Sequence, residues 1–298
     1  MKVNLLRGAC LYFVTALTLY AGPAGLFTIG PDANGVPDVF TSIGPTSSLF
    51  TLGDGSLGFN GGLTFDPVSH NFYSIANDSQ GNSFLYSFTL AGPGTLTLIA
   101  NIGTGFTSGL TLDSLNGSLY GISNDFGNTG HSFFDQISST SGAVNQVLDL
   151  GAGFDGLFTG GLTFDPGSGL FYTVSADGNG VSRQFDSISL AGGGSVVPIS
   201  LLGDGAQQFN GGIYFNPATG GIASIDTGSD GNSQLGGITT QGNVILANEL
   251  PLGQGFQNGA LTLATPEPSP TIPAGLMLAA ILGLCRLSKT TFSQGELK

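Results

Sequence analysis

The chain repeats one seven-residue phrase. It reads Gly-Gly-Leu-Thr-Phe-Asp-Pro over 61–67 and again over 160–166, and looser copies occupy 109–113, 211–217 and 259–263. The apolar residue at the centre of each copy recurs at steps of 47, 52, 51 and 48 residues, at Leu63, Leu110, Leu162, Ile213 and Leu261. A nearly fixed period of this size is typical of repeat architectures, in which each copy forms one supersecondary unit. The phrase therefore predicts five equivalent units with five equivalent buried positions.

Each unit has the pattern of four short antiparallel strands. In the first full copy, apolar and polar residues alternate over 63–66 with the period of a strand, and Pro67 ends the run. Further strands are predicted over 71–76, 84–90 and 96–100, between turns rich in Asn, Asp, Gly and Pro. Four such strands in about 50 residues make one blade of a β-propeller.

A Gly-x-Gly string closes every unit. It occupies 53–55, 103–105, 151–153, 203–205 and 253–255. The string joins strand to strand and opens no helix, so the dinucleotide-binding interpretation fails. We interpret it as the crossing from the outer strand of one blade to the inner strand of the next.

The two ends of the repeat region predict how the ring closes. The region begins with outer strands at 26–29 and ends with a lone inner strand at 260–263. A blade shared between the two ends would leave no bare sheet edge at the junction. We therefore expect an all-β domain over 25–264, a β-propeller of five four-stranded blades rather than six. The alternative is an open stack of sheets or a β-solenoid.

Charge excludes one class of function. Between positions 22 and 265 the chain has sixteen Asp, Glu249 and a single basic side chain, Arg183, a formal balance of −16. Nucleic acids and anionic membrane surfaces need Lys or Arg to neutralise phosphates, so the body binds neither. The excess of Asp over Glu favours turn formation, because Asp bonds the backbone of its own turn. Cys10 and Cys285 lie in the apolar end segments, so no disulfide framework is expected.

Residues 1–24 have the pattern of a secretory signal peptide. Lys2 and Arg7 provide the positive start, 9–20 is apolar, and 22–24 offers a small-x-small cleavage site. This segment is expected to form a signal helix. The competing interpretation is a real strand at its centre, at Leu11–Val14.

The C-terminal end has three parts. A Pro-rich linker at 265–271 precedes a sorting segment at 272–298, which has an apolar run over 272–285 and the basic residues Arg286 and Lys289. A Pro-rich spacer is extended, and the positive charges hold the far end of a transmembrane helix in the cytoplasm. The run of fourteen is shorter than the ~20 residues that a full span needs.

This C-terminal pattern resembles the PEP-CTERM sorting signal of bacterial proteins. The motif residues are Pro266, Glu267 and Pro268, and the membrane stop is Arg286 with Lys289. The resemblance covers 266–298 together with the signal peptide. It implies that an exosortase recognises and removes the signal, so that the protein is held briefly in the inner membrane and then reaches the cell surface or the medium.

Four Asp residues follow the second strands of their units, in turns that resemble degenerate Asp boxes: Asp78, Asp125, Asp177 and Asp230. Such Asp side chains are expected to accept hydrogen bonds from the backbone N–H groups of their own turns. The alternative for a minority of them is Ca²⁺ ligation through oxygen-rich loops. No other metal or cofactor is expected.

Enzyme interpretations find little support in the residues. Sialidase-like catalysis on a propeller needs several Arg, and His70 and His131 have no companions for a metal cluster. Asp66 and Asp165 could act as acid and base across a central channel. The place of these two Asp residues in a strand-ending Asp-Pro favours a role in the turn. Arg183 is expected to pair with a nearby Asp instead of binding a substrate.

Two classes of function remain open on the sequence. The first is an exported, non-catalytic cell-surface or extracellular-matrix protein, whose partners would be an exosortase, the inner membrane and an extracellular polysaccharide. The second is a secreted propeller hydrolase or lyase acting on polysaccharide. Unlike, non-repeated polar residues clustered at one mouth of the channel would favour the enzyme. Repeat-equivalent lining residues would favour the first class.

Overall fold

The computed structural model describes residues 25–32, 34–41, 48–90, 95–125, 130–152, 161–256 and 260–264. The signal peptide, the linker and the sorting segment with its motif all lie outside these residues. The residues that the structure describes contain no helix long and apolar enough to span a membrane.

The described residues form five β-sheets. The first contains β1 (Gly25–Pro31), β2 (Pro37–Thr41) and β3 (Ser48–Thr51). The second contains β4 (Leu63–Asp66), β5 (Asn71–Asn77), β6 (Asn82–Phe88) and β7 (Thr97–Thr104). The third contains β8 (Ser108–Asp113), β9 (Ser118–Asn124), β10 (His131–Ile137) and β11 (Val144–Ala152).

The fourth sheet contains β12 (Leu162–Asp165), β13 (Leu170–Ala176), β14 (Ser182–Ser189) and β15 (Ser195–Leu201). The fifth contains β16 (Gln207–Gln208), β17 (Ile213–Asn216), β18 (Gly221–Gly228), β19 (Asn232–Ile238) and β20 (Val244–Gln254). The last strand, β21 (Leu261–Ala264), joins the first sheet, whose order is β21-β1-β2-β3. All pairs of neighbouring strands are antiparallel, and the sheets are meanders that run outward from their inner strands. In the fifth sheet the two-residue β16 also pairs with β18, beside the inner strand β17. The five-bladed β-propeller predicted from the sequence is confirmed.

The two ends of the body close the ring within one blade. β21 pairs with β1 in the register Gly25↔Ala264 to Thr28↔Leu261, and the Thr28 hydroxyl donates to the Ala260 carbonyl at 2.7 Å. The five inner strands, β4, β8, β12, β17 and β21, each contact the next, and β21 contacts both β17 and β4. The closure by a shared blade is therefore as predicted, and the open stack and the solenoid are excluded.

Glycine recurs before the inner strands because adjacent blades meet there backbone to backbone. Gly62 has φ of +102°, and a Cβ placed on it would lie 2.3 Å from the backbone nitrogen of Leu110 in the next blade. Gly109 repeats this relation with Leu162, at 2.5 Å. Only glycine combines this conformation with so close an approach. The glycines of the repeated phrase thus lie where the inner strands of adjacent blades contact each other.

The apolar cores lie between the blades. The residues at the centre of the five phrases are all between 1% and 3% exposed: Leu63, Leu110, Leu162, Ile213 and Leu261. The prediction of five equivalent buried positions is confirmed. An aromatic residue that follows the crossing between blades is buried in the same seams, at Phe59, Phe106, Phe209 and Phe256.

Replacing Gly62 by Ala tests the close approach of the inner strands. The control is Gly53→Ala, because Gly53 also has positive φ (+76°) but has no atom within 4 Å of an added Cβ. The control should lose about 1 kcal/mol of unfolding free energy through backbone strain alone. Gly62→Ala should lose about 1–3 kcal/mol more, because the backbone of Leu110 must move. Urea unfolding of both variants measures the difference, and equal losses would contradict the steric account.

Candidate functional site

The inner strands surround a central channel. It has a volume of about 240 Å³ and a predominantly apolar lining. Four positions of the repeated phrase supply most of this lining, namely the Leu (Leu63, Leu110, Leu162, Leu261), the Thr (Thr64, Thr111, Thr163, Thr262), the Phe (Phe65, Phe164, Phe215) and the Pro (Pro67, Pro166, Pro217). In the fifth sheet, Tyr214 of β17 occupies the position that Thr has on the other inner strands. The channel is therefore lined by repeat-equivalent side chains.

The threonines of the channel join one blade to the next. The Thr64 hydroxyl accepts a hydrogen bond from the backbone N–H of Leu112 at 3.1 Å. The Thr163 hydroxyl accepts one from the backbone N–H of Phe215 at 2.7 Å. Both bonds cross a seam between blades, where an unpaired N–H would be costly. These polar groups of the channel thus contribute to the stability of the ring.

The carboxylates that end the inner strands are held in their own turns. Asp66 Oδ1 accepts from the backbone N–H of Val68 at 2.8 Å, and Oδ2 accepts from the Ser69 hydroxyl at 2.6 Å. Asp165 makes the same two bonds, to the N–H of Gly167 and the hydroxyl of Ser168. Both oxygens of each carboxylate are bonded within the hairpin. This arrangement fits a role in the turn better than one as an acid–base pair.

The turns after the second strands are built in a similar way. Asp78 Oδ1 accepts from the backbone N–H groups of Gln80 and Asn82, each at 2.9 Å. The Asn82 side chain donates to the other oxygen and holds the pKa of Asp78 below its ordinary value. Asp230 forms the same pair of bonds with Asn232. These hydrogen bonds are local to each turn.

Asp125 begins a turn whose next four residues lie outside the described part of the chain. Its backbone N–H donates to the His131 carbonyl at 2.9 Å. Within the described residues, no group of three or more His, Cys, Asp or Glu side chains comes together in a way that could hold a metal ion.

Arg183 pairs with an Asp of its own blade, as predicted. Its Nε lies 2.5 Å from Asp177 Oδ2, and Asp177 Oδ1 accepts from the backbone N–H groups of Asn179 and Val181. The Arg183 hydrogen bond, with help from the two N–H groups, lowers the pKa of Asp177 to about 2. The single basic residue of the body is thus engaged in a turn and does not reach the channel lining.

The two histidines lie in different blades. His70 sits in the turn after Asp66, in the left-handed region at φ of +58°. His131 Nδ1 lies 2.9 Å from both carboxylate oxygens of Asp149, and this contact lowers the pKa of Asp149. The His131–Asp149 pair joins β10 to the outermost strand β11 and is partly exposed.

Among the buried carboxylates, Asp135 and Asp186 belong to no turn and were not predicted as site residues from the sequence. Asp135 and Asp186 have equivalent places on the third strands of adjacent blades. A serine on the neighbouring strand donates to each, Ser123 to Asp135 and Ser175 to Asp186 at 2.6 Å. Burial raises the pKa of both carboxyls, that of Asp186 to about 7. Their signal in the sequence is an Asp inside an alternating strand rather than in a turn.

Comparison with known proteins adds distant likenesses in fold. No protein-family model matches the chain, and no curated protein matches it. A solved structure assigned as TolB from Agrobacterium tumefaciens is 19% identical, with a TM-score of 0.47, over 80% of this chain and 86% of that one. The periplasmic gluconolactonase PpgL of Pseudomonas aeruginosa is 11% identical, with a TM-score of 0.44, over 76% and 83%. SapL1 lectin is 13% identical, with a TM-score of 0.46, over 80% and 84%. Likeness at this level carries no argument about function.

Asp186 should make the stability of the body depend on pH. Its carboxyl has a pKa of about 7 in the folded state, against 3.8 ordinarily. A raised pKa means that the folded state binds the proton more tightly than the unfolded state does, so protonation of Asp186 increases the free energy of unfolding. This stabilisation is fully present below about pH 4 and is lost as the pH rises to about 7. Unfolding free energies measured by urea from pH 4 to pH 8 should therefore decrease across this window.

The variant Asp186→Asn should flatten this decrease, because the amide does not ionise. Asp78→Asn is the control, since the pKa of Asp78 is lowered and its contribution is lost only as the pH falls below about 4. The control should keep the parental slope between pH 5 and pH 7. A parental slope in Asp186→Asn would show that other groups cause the dependence.

Proposed function

We propose that this protein is an exported, non-catalytic component of the bacterial cell surface or extracellular matrix. Its β-propeller body is carried outward by a signal peptide and sorted through the C-terminal PEP-CTERM signal. An extracellular polysaccharide is the partner that we expect for the body.

One observation carries the non-catalytic part of the proposal. The channel, where a propeller enzyme would place its catalytic groups, is lined mainly by repeat-equivalent residues: Leu and Thr from four blades each, and Phe and Pro from three blades each. Tyr214 is the exception at the Thr position. Hydrolysis and elimination need unlike groups at one point, such as an acid beside a base or nucleophile. Here Thr64 and Thr163 bond the neighbouring blade, and Asp66 and Asp165 bond their own turns. These groups support the ring instead of a reaction.

The sorting part of the proposal rests on the order of segments in the sequence. Pro266-Glu267-Pro268 precedes an apolar run, which Arg286 and Lys289 follow. In the proposed pathway 272–285 forms a transmembrane helix with the basic residues inside. The exosortase then separates the body from this helix near the motif, on the outer side.

Replacing Pro266, Glu267 and Pro268 together by Ala tests the sorting signal. In a bacterium that has an exosortase, the parent should yield a shortened product outside the inner membrane. The Ala variant should stay in the membrane fraction at its longer length, because the enzyme no longer recognises it. Immunoblots of membrane, surface and medium fractions measure this.

Deletion of 266–298 is the matched control for the body. Since the body carries −16 and no anchor is expected in it, the truncated chain should be released in soluble form with unchanged β-sheet circular dichroism. An Ala variant processed like the parent would contradict the sorting signal. Release of reducing ends or unsaturated sugars from a polysaccharide by the purified protein would instead favour the hydrolase or lyase.

A further inference from the structure

The third blade has a cavity of its own, away from the channel, where β9 begins and β10 ends. We call it the third-blade cavity. Its volume is about 370 Å³, within the range of about 300–1,000 Å³ that is typical of small-molecule sites. Three strands and the turn between β10 and β11 supply its polar lining: Ser118, Gln136, Asn145, Ser138 and Ser139. None of the described residues that line it is charged, so the cavity suits a neutral ligand.

The protein itself uses only part of the hydrogen-bonding capacity of this lining. Gln136 Nε2 donates to the Ser118 hydroxyl at 2.8 Å. Within the described part of the chain, no group hydrogen-bonds Gln136 Oε1, the carboxamide of Asn145 or the hydroxyl of Ser139. A carboxamide presents a donor and an acceptor side by side, and a hydroxyl can do both. The free groups therefore match a ligand that carries several hydroxyl groups.

The pairing of two carboxamides at this place is peculiar to the third blade. Gln136 on β10 lies opposite Asn145 on β11. Among the blades in which the same pair of positions is described, the equivalents are Ser87↔Thr97, Ser187↔Val197 and Gly237↔Ile245. The turn that follows β10 also has four hydroxyl residues in a row, over 138–141. Since the other blades form without these groups, the fold alone does not account for them.

We propose that the third-blade cavity binds a sugar residue of a neutral polysaccharide. This proposal rests on the proposed function, which makes an extracellular polysaccharide the partner of the body. The hydroxyl groups of a sugar donate and accept as the carboxamides and serines of the lining do. Ile137 and Ala143 complete the lining with an apolar surface for the C–H groups of the sugar ring.

Charge selects a neutral polysaccharide over an acidic one. The body has a formal balance of −16, so it repels a chain of uronates or sulfated sugars. The lining contains no Lys or Arg that would bind such an acidic group. Because neither side of the contact is charged, binding should be nearly independent of salt, whereas ion pairing would weaken as salt is added.

Affinity electrophoresis of the full-length chain tests this proposal, in native gels with a non-ionic detergent that contains no sugar. The probes are dextran, galactomannan and glycogen, which are neutral, and alginate, which is acidic. The variant Asn145→Leu removes one carboxamide of the cavity. The control is Gln146→Leu, the next residue of β11, which is also exposed but points to the opposite face of the sheet. Neither change alters the net charge.

The parent should be retarded by at least one neutral probe and not by alginate. Its dissociation constant should rise at least about tenfold in Asn145→Leu and stay within about twofold in Gln146→Leu. Circular dichroism and urea unfolding should show both variants folded. In hydrogen exchange, the bound neutral probe should protect the backbone amides of 138–145 and leave those of the equivalent turn in the fifth blade, 239–243, unchanged.

The possible failures separate this site from the proposed function. Equal retardation of the parent and Asn145→Leu overturns the site but leaves a polysaccharide as the partner. Retardation by alginate alone, or binding that is lost as salt is added, overturns the neutral class of ligand. If no probe retards the parent, the site and the polysaccharide partner both fail, while the immunoblots of the sorting variant still decide the export.

Discussion

The antiparallel pair of β21 and β1 is the contact on which the rest of the body depends. It joins residues more than 230 positions apart and turns five meanders into a ring. Without it, β1 would present a bare inner edge, and the apolar seams on both sides of the first blade would open to water. Closing so long a loop costs conformational entropy, but that cost grows only slowly with loop length. The ring recovers it through two complete seams of buried Leu, Ile and Phe.

The sequence predicts this ring because the constraint on the inner strands is local and recurs five times. The close approach of Gly62 to Leu110 requires glycine, and the seam behind it requires an apolar residue at Leu63. The apolar residue occurs at this place in all five copies and the glycine in four of them, with Ala260 in the fifth, so the period, the strand order and the closure follow from the pattern. The pairing of Arg183 with an Asp is predictable for a related reason, since an isolated cation among sixteen Asp finds a local partner.

The buried carboxylates are a different case. Asp135 and Asp186 have the same residue type as the many turn Asp, and only their position inside a strand separates them. Whether such an Asp faces water or a seam depends on the packing of two blades, which no single repeat encodes. Their burial disfavours the charged form, and the serines Ser123 and Ser175 offset part of this cost with one hydrogen bond each. Each of these bonds joins two neighbouring strands of one blade.

The inner strands of the blades, which repeat, and the outer strands, which differ, therefore have separate physical roles. The inner strands, their Asp-Pro turns and the channel threonines repeat because the ring imposes the same geometry on each blade. The outer strands are under no such constraint, and they diverge in length, charge and proline content from β3 to β20. In a five-fold pseudo-symmetric body, a property that one blade alone has can act at a single place on the surface.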